Sequence, residues 1–114
     1  MRVSTPEETA FDLVRYAGVA GHLNNVATVL ADLALQLDPK GLAEVAAHFE
    51  ESVAQKLGYL LDLVGATDRT AELHAWLTAR NPSRAPLVYG SRPFAGPVDP
   101  RWHVVVNRAI EVER

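Results

Sequence analysis

The apolar positions of the chain change their spacing once, near residue 81. Before it they recur at helical intervals. Thr5 is placed as an N-cap, Pro6 stands at the first helical position and Glu8 follows three residues after the cap, a capping box with the favoured proline. Glu7 and Glu8 suit the positive end of the helix dipole. Ala10, Leu13, Val14 and Ala17 continue the period, and Gly18 and Gly21 close the element, so a first helix is predicted from about Pro6 to Tyr16. A second opens near Asn24 or Asn25 and presents Val26, Val29, Leu30, Leu33 and Leu37 as one stripe, which serves as core or as a dimer seam. Asp38-Pro39 repeats the cap-then-proline device, and the third helix carries Leu42, Val45, Ala46 and Phe49 inward. Val53, Leu57, Leu60, Leu61 and Val64 keep the period as far as Gly65; spacing alone leaves open whether this is a new helix or the third one bent. Thr67 or Asp68 caps a last helix with Leu73, Trp76 and Leu77 on one face, ending before Asn81-Pro82. Gly58 interrupts an otherwise strong helix at a cost of about 1 kcal/mol relative to alanine, so a close packing partner is expected there: a crossing helix, with Tyr59 beside it.

Beyond Asn81 the helical period is lost. Pro82, Pro86, Pro93, Pro97 and Pro100, five of the seven prolines, fall here with Gly90 and Gly96. LVY (87 to 89), WHVVV (102 to 106) and AIEV (109 to 112) read as short strands. Asn107-Arg108 would link the last two as a hairpin, but it lacks the glycine such turns favour, so one bulged strand fits equally. A lone hairpin is marginal in water, and Arg2-Val3 is the available pairing partner. The predicted fold is α+β: a bundle of about five helices followed by a small antiparallel sheet or hairpin, in a single domain over residues 1–114.

Composition narrows the function classes. Apolar residues at 48% and charged residues at 22% exclude a disordered or collagen-like chain. The absence of cysteine excludes disulfides, thiol nucleophiles and zinc-thiolate sites. Neither a spanning apolar run nor a signal peptide is evident, which gives the expectation of a cytoplasmic protein. Charge is divided unequally. Residues 1 to 68 hold four cations against ten acids, whereas residues 69 to 114 hold seven arginines against four acids. Between Arg80 and Arg108 the single acid is Asp99, set against Arg80, Arg84, Arg92, Arg101 and Arg108. This stretch is either a solvated basic loop or a surface for carboxylates or phosphates, which the planar guanidinium fork binds bidentately.

Catalytic patterns are missing. His22, His48, His74 and His103 have no metal-ligand spacing among them. His48 and Glu51 lie one helical turn apart but have no nucleophile in sequence reach, and read as a solvated face. Asp62 and Asp68 read as surface charges. Trp76 reads as core, and Trp102, opening a strand beside arginines, as core or as a stacking platform. No catalytic residue, cofactor or metal is expected, and the chain reads as non-enzymatic.

Taken in order, VSTPEETAFDLVRY, LNNVATVLADLA, VAQKLGYLLDLVGA, the proline-rich basic stretch and RWHVVVNRAIEVE resemble the C-terminal region of AbiE-type antitoxins, the regulators of type IV abortive-infection toxin-antitoxin systems. The resemblance runs from Val3 to Glu113. It implies a domain that counteracts a co-encoded nucleotidyltransferase-like toxin, with a basic surface that in some members contributes to DNA binding. It also implies a winged helix-turn-helix ahead of the domain. No such reader is found among these residues, so promoter repression by this chain alone is not expected. The partners implied are the toxin and, through the basic segment, nucleic acid; no membrane is implied.

Overall fold

The computed structural model describes residues 5–20, 23–86 and 96–106. Helix α1 spans Pro6–Ala20, α2 Leu23–Leu33 with a 3-10 turn at Ala34–Gln36, α3 Pro39–Ala46, α4 Glu51–Leu63, and α5 Ala71–Arg80 after a 3-10 turn at Thr67–Arg69. Three short strands follow: β1 Ala85–Pro86, β2 Val98–Asp99 and β3 Val104–Val105. The fold is α+β, a helical bundle carrying a small sheet.

Of the expected caps, those at Thr5 and Asp38 form; α2 already begins at Leu23, ahead of Asn24 and Asn25, and Thr67 and Asp68 lie in the 3-10 turn before α5, whose N-cap is Thr70. The Thr5 hydroxyl accepts from Glu8 N at 3.1 Å, and the Asp38 carboxylate accepts from Gly41 N at 3.0 Å. Glu7 does a second job, because its Oε2 accepts from Asp38 N at 3.2 Å and so ties the start of α1 to the start of α3. Helix α1 continues through Gly18, which does not stop it. Gly65 does stop α4, turning left-handed at φ 84°. The turn at 47–50 separates α3 from α4, with Glu50 extended ahead of the new helix, so these are two helices and not one bent rod. Phe49 in that turn stacks on Phe11 at 5.0 Å between ring centroids.

The buried face of α2 differs from the expected stripe. Val26, Ala27, Leu30, Ala34 and Leu37 are buried, while Val29 is 45% exposed and Leu33 is half-buried. The reason is size: turning the alanines inward lets the helix approach its neighbours closely, and Val29 then falls on the outer flank.

Helix α4 is the centre of the molecule. It packs against α1, α2, α5, β1 and β3, and its residues 53 to 58, 60 and 61 are all buried. The sheet has the order β1-β3-β2. β2, where no strand was expected, pairs with β3 antiparallel, and β1 pairs with β3 in parallel, Ala85 opposite Val104, so the sheet is mixed and not antiparallel. Pro86, which has no N–H, occupies an edge strand where that loss is tolerated. Residues 87–89, Asn107-Arg108, AIEV (109 to 112) and Arg2-Val3 lie outside the described residues.

Candidate functional site

The basic C-terminal segment is fastened to the helices by one tryptophan. Trp102 is 1% exposed, and its ring lies on Gly58 so closely that a Cβ built there would stand 2.3 Å from Cζ3. The partner that Gly58 requires is therefore this indole, not a crossing helix. Trp102 belongs to the core, as one of its two sequence readings held, yet it sits in the turn at residues 100–103 and not in a strand. Trp76 is half-buried against the core, with the Arg80 guanidinium 4.3 Å above its ring.

Around Trp102 the polar groups are fully engaged. The indole Nε1 donates to Asp62 Oδ2 at 2.6 Å, and Arg101 Nε pairs with the same oxygen at 3.0 Å. Arg101 Nη2 also donates to the Thr70 hydroxyl at 3.0 Å. That hydroxyl has a single proton to give, to the Thr67 carbonyl at 2.7 Å or to Asp62 Oδ1 at 3.2 Å. Thr70 is thereby drawn away from a capping role at the start of α5. His74 packs edge-on against the Trp102 ring at 5.2 Å, and its Nε2 lies 3.1 Å from the Arg101 carbonyl. A carbonyl only accepts, so this nitrogen carries the proton.

From below, buried Gln55 donates through Nε2 to the carbonyls of Ser83 at 2.7 Å and Trp102 at 3.0 Å, with His103 O at 3.4 Å a weaker third contact. One amide thus joins the chain before β1 to the chain before β3. Asp99 builds the turn itself: its carboxylate accepts from Trp102 N at 2.9 Å, and its carbonyl accepts from His103 N at 2.8 Å. His103 is left-handed at φ 55°, which releases the chain into β3. Tyr59, half-buried beside this turn, has its phenol pKa raised, first by burial and then by the Asp99 charge.

The sequence-predicted arginines fall into three groups. Arg101 is turned onto Asp62, and Arg80 is exposed over Trp76. Arg84 is exposed just before β1, and the parallel register places it at the same end of the sheet as His103, which precedes the central strand β3. Arg92 and Arg108 lie outside the described residues. His48 is exposed, and no group of three or more metal-ligating side chains occurs among the described residues. Sequence reasoning missed Gln55, Thr70 and the role of Asp62. Their partners lie 28 to 48 residues away for Gln55 and 40 for Asp62, beyond any local period. One signal was available: Asp99-Pro100 repeats the device at Asp38-Pro39.

The family model of the AbiEi antitoxin C-terminal domain matches residues 1–63, more than half of the chain. The chain belongs to that family. Comparison with curated proteins and with solved structures gave no match. The matched part of the antitoxin domain ends with α4, so it contains Gln55, Gly58 and Asp62, while Arg101 and Trp102 lie beyond it. An antitoxin domain acts within a toxin-antitoxin system, and a role for this chain as antitoxin or regulator there follows from its family. No helix among the described residues is long and apolar enough to cross a membrane.

Proposed function

We propose that this antitoxin domain acts without catalysis, counteracting a co-encoded nucleotidyltransferase-like toxin in the cytoplasm, and that the segment from Arg80 to Arg108 is its contact surface. The family match carries the first half of the reading. The second half rests on how that segment is seated. The residues Gln55, Gly58 and Asp62 grip Trp102 and Arg101, and Gln55 also donates to the Ser83 carbonyl next to Arg84, so the backbone at Arg84 is seated on a support of helix residues. Guanidinium groups on such a support meet carboxylates or phosphates with little loss of freedom on binding.

Co-expression with the nucleotidyltransferase-like protein encoded beside it, read as growth rate, tests the reading. Restored growth is expected from the chain as it stands. Replacing Arg84, Arg92 and Arg108 by Glu should abolish it; Arg101 is left in place because it pairs with Asp62. Undiminished rescue by the triple variant would remove the surface assignment, and no rescue by the folded wild-type chain would remove the antitoxin reading. The same arginines support a second reading, an accessory DNA-binding role. It predicts weak affinity that falls steeply with salt as counterions are released.

A further inference from the structure

Arg80, the last residue of α5, holds its guanidinium 4.3 Å above the ring of Trp76, one helical turn earlier. Trp76 packs against the core, so the ring is a fixed ledge under the guanidinium. Arg80 is exposed and makes no hydrogen bond or ion pair among the described residues. Its five N–H donors are therefore left for a partner. Arg101, by contrast, is engaged by Asp62 and Thr70. A positive charge at the end of α5 also suits the helix dipole, but lysine would serve that end equally well. What the ring adds is a fixed orientation of the planar fork, which removes some of the freedom a long side chain loses on binding. Tryptophan and arginine are also among the residue types that carry most of the energy at protein interfaces.

The surroundings select the partner. No acid occurs along the chain between Glu72 and Asp99. Ala75 and Ala79, exposed beside the pair, carry only methyl groups, so the fork is approachable. A nucleic-acid base finds no free platform, since Arg80 covers one face of the ring and the core lies against it. A long polyanion is further opposed by residues 1 to 68, which hold four cations against ten acids. A carboxylate on a protein brings its charge to this one place and takes two parallel N–H bonds from the fork. We propose that Arg80, positioned by Trp76, is the anchor by which this domain binds an acidic segment of a partner protein. The inference rests on the contact-surface reading and deepens it, adding Trp76 as a positioning residue and assigning the surface to protein carboxylates.

Fluorescence anisotropy of labelled hexaglutamate, titrated with the 114-residue chain at low ionic strength, tests it. The wild type should bind. Arg80→Lys keeps the charge but loses the fork, and should weaken binding by about three- to fivefold. Trp76→Leu keeps apolar bulk against the core and should weaken it by about two- to fivefold, the range of an exposed cation–π contact. Trp76→Phe should recover part of that loss. Once Arg80 is replaced by Gln, Trp76→Leu should weaken binding no further, which a merely structural role for the ring would not produce. Should Trp76→Leu lose its helical circular dichroism, Arg80→Lys, at an exposed position, still decides. Absent wild-type binding, equal binding by Arg80→Lys, or additive losses in the double variant would overturn the proposal. So would tighter binding of an oligodeoxythymidylate of equal charge, which would give the face to nucleic acid. Growth rescue separates the anchor from the reading beneath it. Rescue lost on changing Arg84, Arg92 and Arg108 to Glu but unchanged in Arg80→Lys removes the anchor and keeps the surface.

Discussion

Two Asp-Pro steps, at Asp38-Pro39 and Asp99-Pro100, begin with the same hydrogen bonds and lead to different structures. In each, the aspartate carboxylate accepts from the backbone N–H three residues on, Gly41 at 3.0 Å and Trp102 at 2.9 Å. In each, its carbonyl accepts from the N–H four residues on, Leu42 at 2.9 Å and His103 at 2.8 Å. After Asp38 the chain runs on as α3. After Asp99 it makes one turn, His103 goes left-handed, and Val104-Val105 enters the sheet. The cap therefore nucleates a turn without fixing its length. Leu42-Ala43-Glu44 contains good helix formers and propagates the first turn, whereas three successive valines disfavour propagation after the second. The residue in the fourth place also differs. Gly41 leaves the helix free to continue, while Trp102 is pinned by Gly58, Asp62 and Gln55.

The largest test of this contrast removes the pin. Trp102→Ala should cost about 3–5 kcal/mol, as expected for emptying a buried indole site, and it also deprives Asp62 of a donor. Gly41→Ala, at the matching place in the other turn, should stay within about 1 kcal/mol: helix propensity gains, and the nearest obstacle is the flexible Glu7 side chain 3.2 Å away. Urea unfolding of the two variants compares them directly. Equal, small losses would mean that the second turn is a passenger on the helices.

Next comes Gly58→Ala, in which two effects oppose each other. Alanine gains about 1 kcal/mol of helix propensity, but its Cβ would lie 2.3 Å from a ring that is itself buried. Overpacking of this kind costs about 1–3 kcal/mol or more. The clash should win in the wild type and vanish in the Trp102→Ala background, where Gly58→Ala should become neutral or stabilising. A double-mutant cycle by chemical denaturation measures this reversal; additive losses would show that something other than the indole occupies the space above Gly58.

A smaller effect separates the caps themselves. Asp38→Ala should cost about 1 kcal/mol. Asp99→Ala should cost a few tenths less, because one turn sums fewer peptide dipoles than the full helix at α3. Thermal unfolding of both variants side by side resolves the order, and a reversed order would mean that Asp99 contributes through more than its cap.

These expectations show where sequence was readable. Thr5-Pro6 and Asp38-Pro39 marked helix starts because capping acts over three or four residues, and the stripe of Val53, Leu57, Leu60 and Leu61 was legible because one period governs it, whereas the burial of Ala54, Gln55, Lys56 and Gly58 beside it comes from α4 being packed on several sides. The α2 stripe was misread at Val29 and Leu33, since periodicity weights large residues and does not reveal that Ala27 and Ala34 are the ones packed closely. Gly58 announced a close neighbour but not which one: the partner lies 44 positions along the chain, in a segment with no helical period. Asp62 looked like a surface charge for the same reason, its indole and guanidinium partners being joined to it by the fold alone.

The smallest effect concerns a tyrosine that only one of the two aspartates influences. The Tyr59 pKa is raised from its ordinary value of 10.0, with burial the larger cause and Asp99 the lesser. A phenol loses its proton to become an anion, so a raised folded value means that the unfolded chain ionises first. The stability linked to Tyr59 is therefore fully present below about pH 10 and is lost as pH rises through the folded value. Asp99→Asn should lower the titration midpoint only part of the way back, because burial remains, and Asp38→Asn should leave it unchanged. Tyrosinate absorbance, compared with that of a Tyr59→Phe variant to isolate this residue, follows the midpoint in each case. A full return to the ordinary value in Asp99→Asn would reverse the ranking of the two causes and make the Asp99 turn, not the packing of α4, the main control on Tyr59.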